Sequence, residues 1–217
     1  MKHHPDPATL ISYSSGSLPS NFSILVSSHL EKCSECSKNL HIGIEMGGLV
    51  LDKLKEEKLS EGAFDKFLNF ARNINHQTLS MPKNLDNNIS NIPSVLHHYI
   101  GKNISDIKWK FVAPGIKKHE VGIDKETNSY LTMLKINPKK KIPEHGHSGN
   151  EITLVIDGSF KDEHGQYYPG DISEHDTSTH HQPVVSSKDP CICIIATDGP
   201  LVFNNFFANL FQSFMRI

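Results

Sequence analysis

The feature that most constrains this chain is the spacing of His29, Cys33 and Cys36, in which a histidine is followed at four and at seven residues by cysteines. Residues three and four apart share one face of an α-helix, so the three side chains converge on a single ion. Two thiolates and an imidazole suit zinc in a closed tetrahedron. A Cys-x-x-Cys pair alone would also fit a thioredoxin-like redox motif, but the helix-spaced histidine in front of it and the lack of a βαβ pattern argue against that reading. The fourth ligand must come from elsewhere in the helical region, where His3, His4 and His41 compete. His4 is selected because a first helix starting just after it can fold back, bringing its start beside the end of the second.

The helices themselves follow from apolar spacing. Residues 4–16 begin His4-Pro5-Asp6-Pro7 and end at Gly16, which predicts a short helix with proline in its first turn. Leu18, Phe22, Leu25, Val26 and Leu30 form one stripe that delivers the metal motif at its C-terminal end. A third helix is predicted over 34–56, weakened at Gly47-Gly48, where a kink or a close backbone approach is expected. A fourth, over 60–75, has Phe64, Phe67, Leu68, Ala71 and Ile74 on one face, with Ser60 as its cap. The prediction is therefore a small zinc-bound helical bundle of about four helices over residues 1–78.

Composition then changes. Residues 76–93 are rich in Asn, Ser and Pro without a sustained period, which reads as a linker, placed at 79–100. Beyond it the period becomes alternating. Runs at 107–114, 129–136, 151–160 and 191–196, separated by Pro-Gly, Asn-Pro and Asp-Gly turns, predict short strands of a sandwich or barrel over 101–217. The tail at 203–215, amphipathic and rich in phenylalanine, reads as a terminal helix.

A second ligand set lies in this half. His145, His147 and Glu151 are separated by even numbers, so along an extended chain they face one side of a sheet and can point into a barrel. A histidine from the His180-His181 pair then completes a nitrogen-and-oxygen site for zinc, iron, manganese or nickel. Glu144 is out of phase with the two histidines. Cys191 and Cys193 also face one way on an apolar strand, as buried thiols or as a redox pair beside the metal; a disulfide between them would be strained. His97, His98, His164 and His175 are read as surface residues.

The balance of charge, formally -2 with no asymmetry between the halves, gives no basic patch for nucleic acid. No apolar run is long enough to span a bilayer and the N-terminus lacks an apolar signal core, so a cytoplasmic protein is expected. Four cysteines then read as ligands or redox groups.

The histidine, long gap and H-x-x-x-C-x-x-C pattern resembles the zinc-containing anti-sigma family, and H-x-H-x-x-x-E with a distant histidine resembles the cupin motif. Joined in this order, with Trp109, Phe111, Val112, Pro114 and Gly115 opening the barrel and Pro169-Gly170-Asp171 in its middle turn, the chain is similar to ChrR-type zinc-binding anti-sigma factors with a cupin-like C-terminal domain. The resemblance implies a structural Zn2+ on His4, His29, Cys33 and Cys36. It implies a second, Zn2+ or another divalent transition metal, on His145, His147, Glu151 and His181; His181 is the match because it directly precedes Gln182-Pro183. Cys191 and Cys193 match a C-x-C of that family. The implied partner is an extracytoplasmic-function sigma factor of the sigma-E group, released when singlet oxygen or organic peroxides act through the cupin-like domain. No catalytic residue is implied. The other reading of the same barrel is a cupin metalloenzyme of dioxygenase or isomerase type, because three histidines and a carboxylate can leave coordination positions open.

Overall fold

The computed structural model describes residues 1–73 and 92–203; the tail helix expected over 203–215 lies outside the described residues from 204 onward, as does the expected linker up to residue 91. Among the described residues the helices are α1 (Pro7–Ser14), α2 (Ser20–Leu30), α3 (Ser34–Leu51), α4 (Ala63–Asn73) and α5 (His97–Ile100). The first of these follows its local chemistry closely. The Asp6 carboxylate accepts from the Ala8 N–H at 2.8 Å, proline opens the helix, and Gly16 stops the chain just beyond it with φ of 72°. Helix α3 ends five residues earlier than the pattern predicted. It runs through Gly47-Gly48, and among the described residues nothing lies within 4 Å of a Cβ at either position.

The expected linker is partly structured. Ile92, Leu96 and Ile100, four residues apart, are buried in the core, which forces a 3-10 turn at Ser94–Leu96 and the single turn of α5 where the polar composition suggested only a tether.

The strands are β1 (Lys110–Ala113), β2 (Ile116–Asp124), β3 (Ser129–Ile136), β4 (His145–His147), β5 (Glu151–Asp157), β6 (Phe160–Lys161), β7 (Gln166–Tyr167), β8 (Ile172–His175), β9 (His180–His181), β10 (Val184–Val185), β11 (Cys191–Thr197) and β12 (Leu201–Phe203). They form an antiparallel six-stranded sheet, β1-β2-β3-β11-β5-β8, and two three-stranded sheets, β10-β6-β7 and β12-β4-β9. The run read as one strand over 151–160 is broken at Gly158, whose φ is 70°. A Cβ there would come within 2.7 Å of the Pro190 carbonyl oxygen, so the turn between β5 and β6 requires glycine.

The central strands are buried on both faces. On β11, Cys191, Cys193 and Ile195 belong to the barrel interior, while Ile192, Ile194 and Ala196 share a core with Phe22, Leu25 and Val26 of α2. Strands β3 and β5 divide the same way, with Leu134 and Val155 inside and Met133 and Leu154 in the core shared with α2. This explains the near-continuous apolar runs of these strands, which a one-sided sheet does not need.

The chain consequently divides into compact units differently from the division at residue 78. One unit comprises Met1–Glu45 with Ser90–Ile217, and the other is Met46–Ile89. The physical reason is the stripe on α2. It faces the sheet, so the first two helices and the start of α3 are part of the barrel unit and not of a free-standing bundle.

Candidate metal centres

The first centre assembles as the spacing required. Cys33 sits in the turn after α2 and Cys36 in the first turn of α3; His29 comes from the last turn of α2 and His4 from the segment before α1. The Nδ1 of His4 lies 3.4 Å from Cys33 Sγ and 3.3 Å from Cys36 Sγ, and His29 Nε2 lies 3.3 Å from Cys36 Sγ. The four donor atoms are all within 4.8 Å of one another. Metal–ligand distances of about 2.3 Å to sulfur and 2.0 Å to nitrogen in a tetrahedron put neighbouring N and S donors about 3.6 Å apart, so this set fits zinc.

The competing histidines are placed elsewhere. His41 is exposed and pairs with Glu45 at 3.2 Å, and the His3 ring packs on Tyr167 with centroids 4.3 Å apart.

The surroundings prepare the ligands. His29 Nδ1 donates to the Gly170 carbonyl at 2.7 Å, which leaves Nε2 free to bind a metal; burial also lowers the pKa of this imidazole and keeps it neutral. Burial, with Cys33 beside it, pushes the Cys36 thiol up to about 12. Zinc binding must therefore displace a proton that the free thiol holds firmly. The apparent zinc affinity of this centre is expected to rise at least about tenfold for each pH unit between 6.5 and 8, as competition against a chromophoric chelator would measure.

The barrel anchors this centre directly. The buried carboxylate of Asp171, in the turn before β8, accepts from the backbone N–H groups of Lys2 at 2.8 Å and His3 at 3.3 Å, and from that of Tyr168 at 3.0 Å. Ile172 N–H donates to the His3 carbonyl. One residue beyond Ser173, Glu174 accepts from the Asp6 N–H and the Thr9 hydroxyl at the start of α1. Alanine at Asp171 would strip the N-terminal segment and the turn of their shared acceptor. A loss of about 2–3 kcal/mol is expected, measured by urea unfolding of the full chain.

The second centre lies in the barrel. His145 and His147 on β4 and His181 on β9 are buried, with Nε2 of His181 at 3.1 Å from Nε2 of His145 and 3.3 Å from Nε2 of His147. Two of the three are oriented by acceptors at Nδ1: the Pro143 carbonyl at 2.8 Å for His145 and the Asp162 carboxylate at 2.9 Å for His181. Burial, reinforced by neighbouring imidazoles, lowers His145 to about 4 and His147 to about 3. At neutral pH the His145 and His147 rings are uncharged, and the Nε2 atoms of His145, His147 and His181 form a three-nitrogen set that fits a divalent transition metal.

Glu151 is not brought into that set. Its Oε1 accepts from Thr153 Oγ1 at 3.1 Å, two residues along the same strand face, and its Oε2 is 3.7 Å from the other nitrogen of His147, Nδ1. Burial raises its pKa. His180, adjacent to His181, is exposed.

Two residues of this region escaped the sequence reading. His175, taken for a surface residue, is buried on β8, its ring centroid 4.0 Å from that of His181, because β8 pairs with β5 so that His175 faces Glu151. Its even spacing from Ser173 on a strand was the available signal. Asp162, in the turn between β6 and β7, had no spacing relation to the histidines at all. Burial opposes its charge, but hydrogen bonds from His181 and from the backbone of His164 and Gly165 outweigh that and hold its carboxyl below the usual range.

Cys191 and Cys193 are buried and line an interior cavity of about 50 Å³ together with His145, Glu151 and His181. Their mutual hydrogen bond and burial raise the Cys193 thiol well above its ordinary value, so it is not a ready thiolate nucleophile. Glu151 and His175 also line a wider polar cleft of about 510 Å³ beside α1, which reaches none of the three clustered histidines.

Comparison with known proteins follows this geometry. A family model described as the ChrR cupin-like domain matches residues 97–201. An anti-sigma-E factor, ChrR, of Cereibacter sphaeroides is 32% identical over 217 residues, covering all of this chain and 99% of that protein. A crystal structure of Rhodobacter sphaeroides SigE in complex with the anti-sigma ChrR superposes with a TM-score of 0.72 at 29% identity, covering 91% of this chain and 99% of the matched chain.

Proposed function

From the premise that this chain belongs to the ChrR family of anti-sigma-E factors, we propose that it is a zinc-dependent anti-sigma factor that sequesters an extracytoplasmic-function sigma factor of the sigma-E group. The observation that carries this reading is the apolar surface of α3 and α4. Helix α4 buries none of its residues and exposes Phe64, Phe67 and Phe70, each more than 60% accessible. Met46, Leu49, Val50 and Leu51 at the end of α3 are exposed as well. Phe64 and Phe67 could serve an intramolecular core or dock on a sigma factor, and their exposure among the described residues favours docking. Contiguous large apolar side chains left in water mark a protein–protein surface.

In this reading His4, His29, Cys33 and Cys36 hold the structural zinc, and residues 1–78 are the inhibitory part of the chain. His145, His147 and His181 hold the barrel metal, Zn2+ or another divalent transition metal, with Glu151 turning from Thr153 to complete its shell. A metal held there by these residues would supply a Lewis-acidic centre, and Cys191 and Cys193 line the same cavity. The signal is a reactive oxygen species, singlet oxygen or an organic peroxide, and residues 168–175 are the part of the barrel that touches both centres. The small interior cavity favours a sensor over a dioxygenase or isomerase, since sites for organic substrates occupy about 300 Å³ or more. No helix among the described residues is long and apolar enough to cross a membrane, which accords with action in the cytoplasm.

Co-expression of the full chain with the sigma factor encoded beside its gene should yield a one-to-one complex. Alanine at His145 and His147 together should leave that complex intact and abolish its dissociation by a singlet-oxygen generator. Failure of the wild-type pair to co-purify would defeat the anti-sigma assignment; a double variant that still dissociates would defeat the role of the barrel.

A further inference from the structure

Asp162 has the position and the bonding of a group that decides how His181 presents itself to a metal. Its side chain is fully buried. One carboxylate oxygen, Oδ1, accepts from the backbone N–H groups of His164 at 2.9 Å and Gly165 at 3.0 Å, so the carboxylate is fixed in the turn between β6 and β7. The other, Oδ2, lies 2.9 Å from His181 Nδ1. A neighbouring carboxylate holds the adjacent backbone: Glu163 Oε2 accepts from the Gln182 N–H at 2.9 Å. Ring and main chain at His181 are thus both set by one four-residue turn.

His175 does not compete for this role. Its Nε2 is 3.8 Å from Asp162 Oδ2 and is engaged at 2.7 Å with Ser173 Oγ. Asp162, His175 and His181 are close enough to hold an ion of their own. However, the 2.9 Å contact to His181 is the length of a direct hydrogen bond to a carboxylate, which leaves that nitrogen's lone pair unavailable to a second metal.

We propose that Asp162 is the positioning residue of the barrel centre: by accepting from Nδ1–H it fixes the His181 tautomer in which Nε2 carries the lone pair facing His145 and His147. The proposal rests on the metal reading of the barrel given above, but its first consequence can be read without metal. Asparagine at this position is the informative change. The two backbone N–H groups at Oδ1 require an acceptor, so the amide oxygen takes that side and the NH2 turns toward His181. Nδ1 must then accept, the ring hydrogen moves to Nε2, and the metal-facing lone pair is lost.

The experiment uses the full chain with the N-terminal centre zinc-loaded and the barrel stripped of metal by mild chelation. Long-range 15N–1H NMR of wild type should show the His181 hydrogen on Nδ1, and D162N should move it to Nε2. Titration of the barrel with Co2+ should show affinity about 10–100-fold weaker in D162N, with the N-terminal centre unchanged. Wild-type His181 protonated on Nε2 would overturn the proposal, and so would D162N binding Co2+ as tightly as wild type. The wild-type tautomer decides the matter even if D162N does not fold. A wild-type barrel that takes up no Co2+, with Nδ1–H on His181, would count against the metal reading and not against the bond that Asp162 makes.

Discussion

Alanine at both Cys33 and Cys36 is expected to remove one equivalent of zinc from the full chain and to abolish sigma binding. The four candidate ligands come from three separate pieces of chain, the segment before α1, the end of α2 with the turn after it, and the start of α3. In small zinc-held modules the metal contributes on the order of 10 kcal/mol of apparent folding free energy, as much as the whole net stability of a typical domain. Here α2 is also fixed by the sheet, through Phe22, Leu25 and Val26, so the barrel should persist while α3 loses its anchor. Metal analysis combined with a pull-down checks this: zinc falls by one equivalent, the β-sheet circular dichroism stays, and the sigma factor is no longer retained. A double variant that retains sigma would show that zinc does not organise the inhibitory surface.

The second large effect is expected from Phe64→Glu with Phe67→Glu. Both side chains are exposed, so the substitutions should change stability by no more than about 0.5 kcal/mol each. In a complex, burying each phenylalanine stabilises by about 1.5–3 kcal/mol, and a carboxylate in its place adds a desolvation penalty. Sigma binding should weaken at least a hundredfold while zinc content and thermal unfolding remain at wild-type values. That combination separates the two variants, because the cysteine change loses metal and binding together and the phenylalanine change loses binding alone. Isothermal titration against purified sigma factor reads it directly.

The candidate metal-binding residues were legible in the sequence to different depths, for physical reasons. His29, Cys33 and Cys36 are fixed by the helical repeat, so their convergence required only a helix, and the fold supplies it. His4 needed a guess about how α1 folds back, and the structure brings it to the three. His145 and His147 follow from strand alternation. Glu151 shares their parity, but it begins a different strand in a different sheet, so parity alone could not aim its carboxylate at the same point. Asp162 was invisible because its contact with His181 depends on the turn between β6 and β7 meeting strand β9, which no local period encodes.

The compact units differ from the boundary expected at residue 78 for a related reason. The apolar stripe on α2 and the strand runs Ile152–Leu154–Ile156 and Ile192–Ile194–Ala196 meet in one core. Strands apolar at both parities need cover on both faces. That pattern was available in the sequence, and it pointed to helices on the outer face of the sheet.

The measurement that tests the account most directly is run-off transcription by RNA polymerase with the sigma factor encoded beside this gene, titrated with the zinc-loaded full chain. The account predicts that transcription stops near one equivalent of the chain, and that the cysteine double variant leaves it untouched. Undiminished transcription at tenfold excess of the zinc-loaded wild type would contradict it.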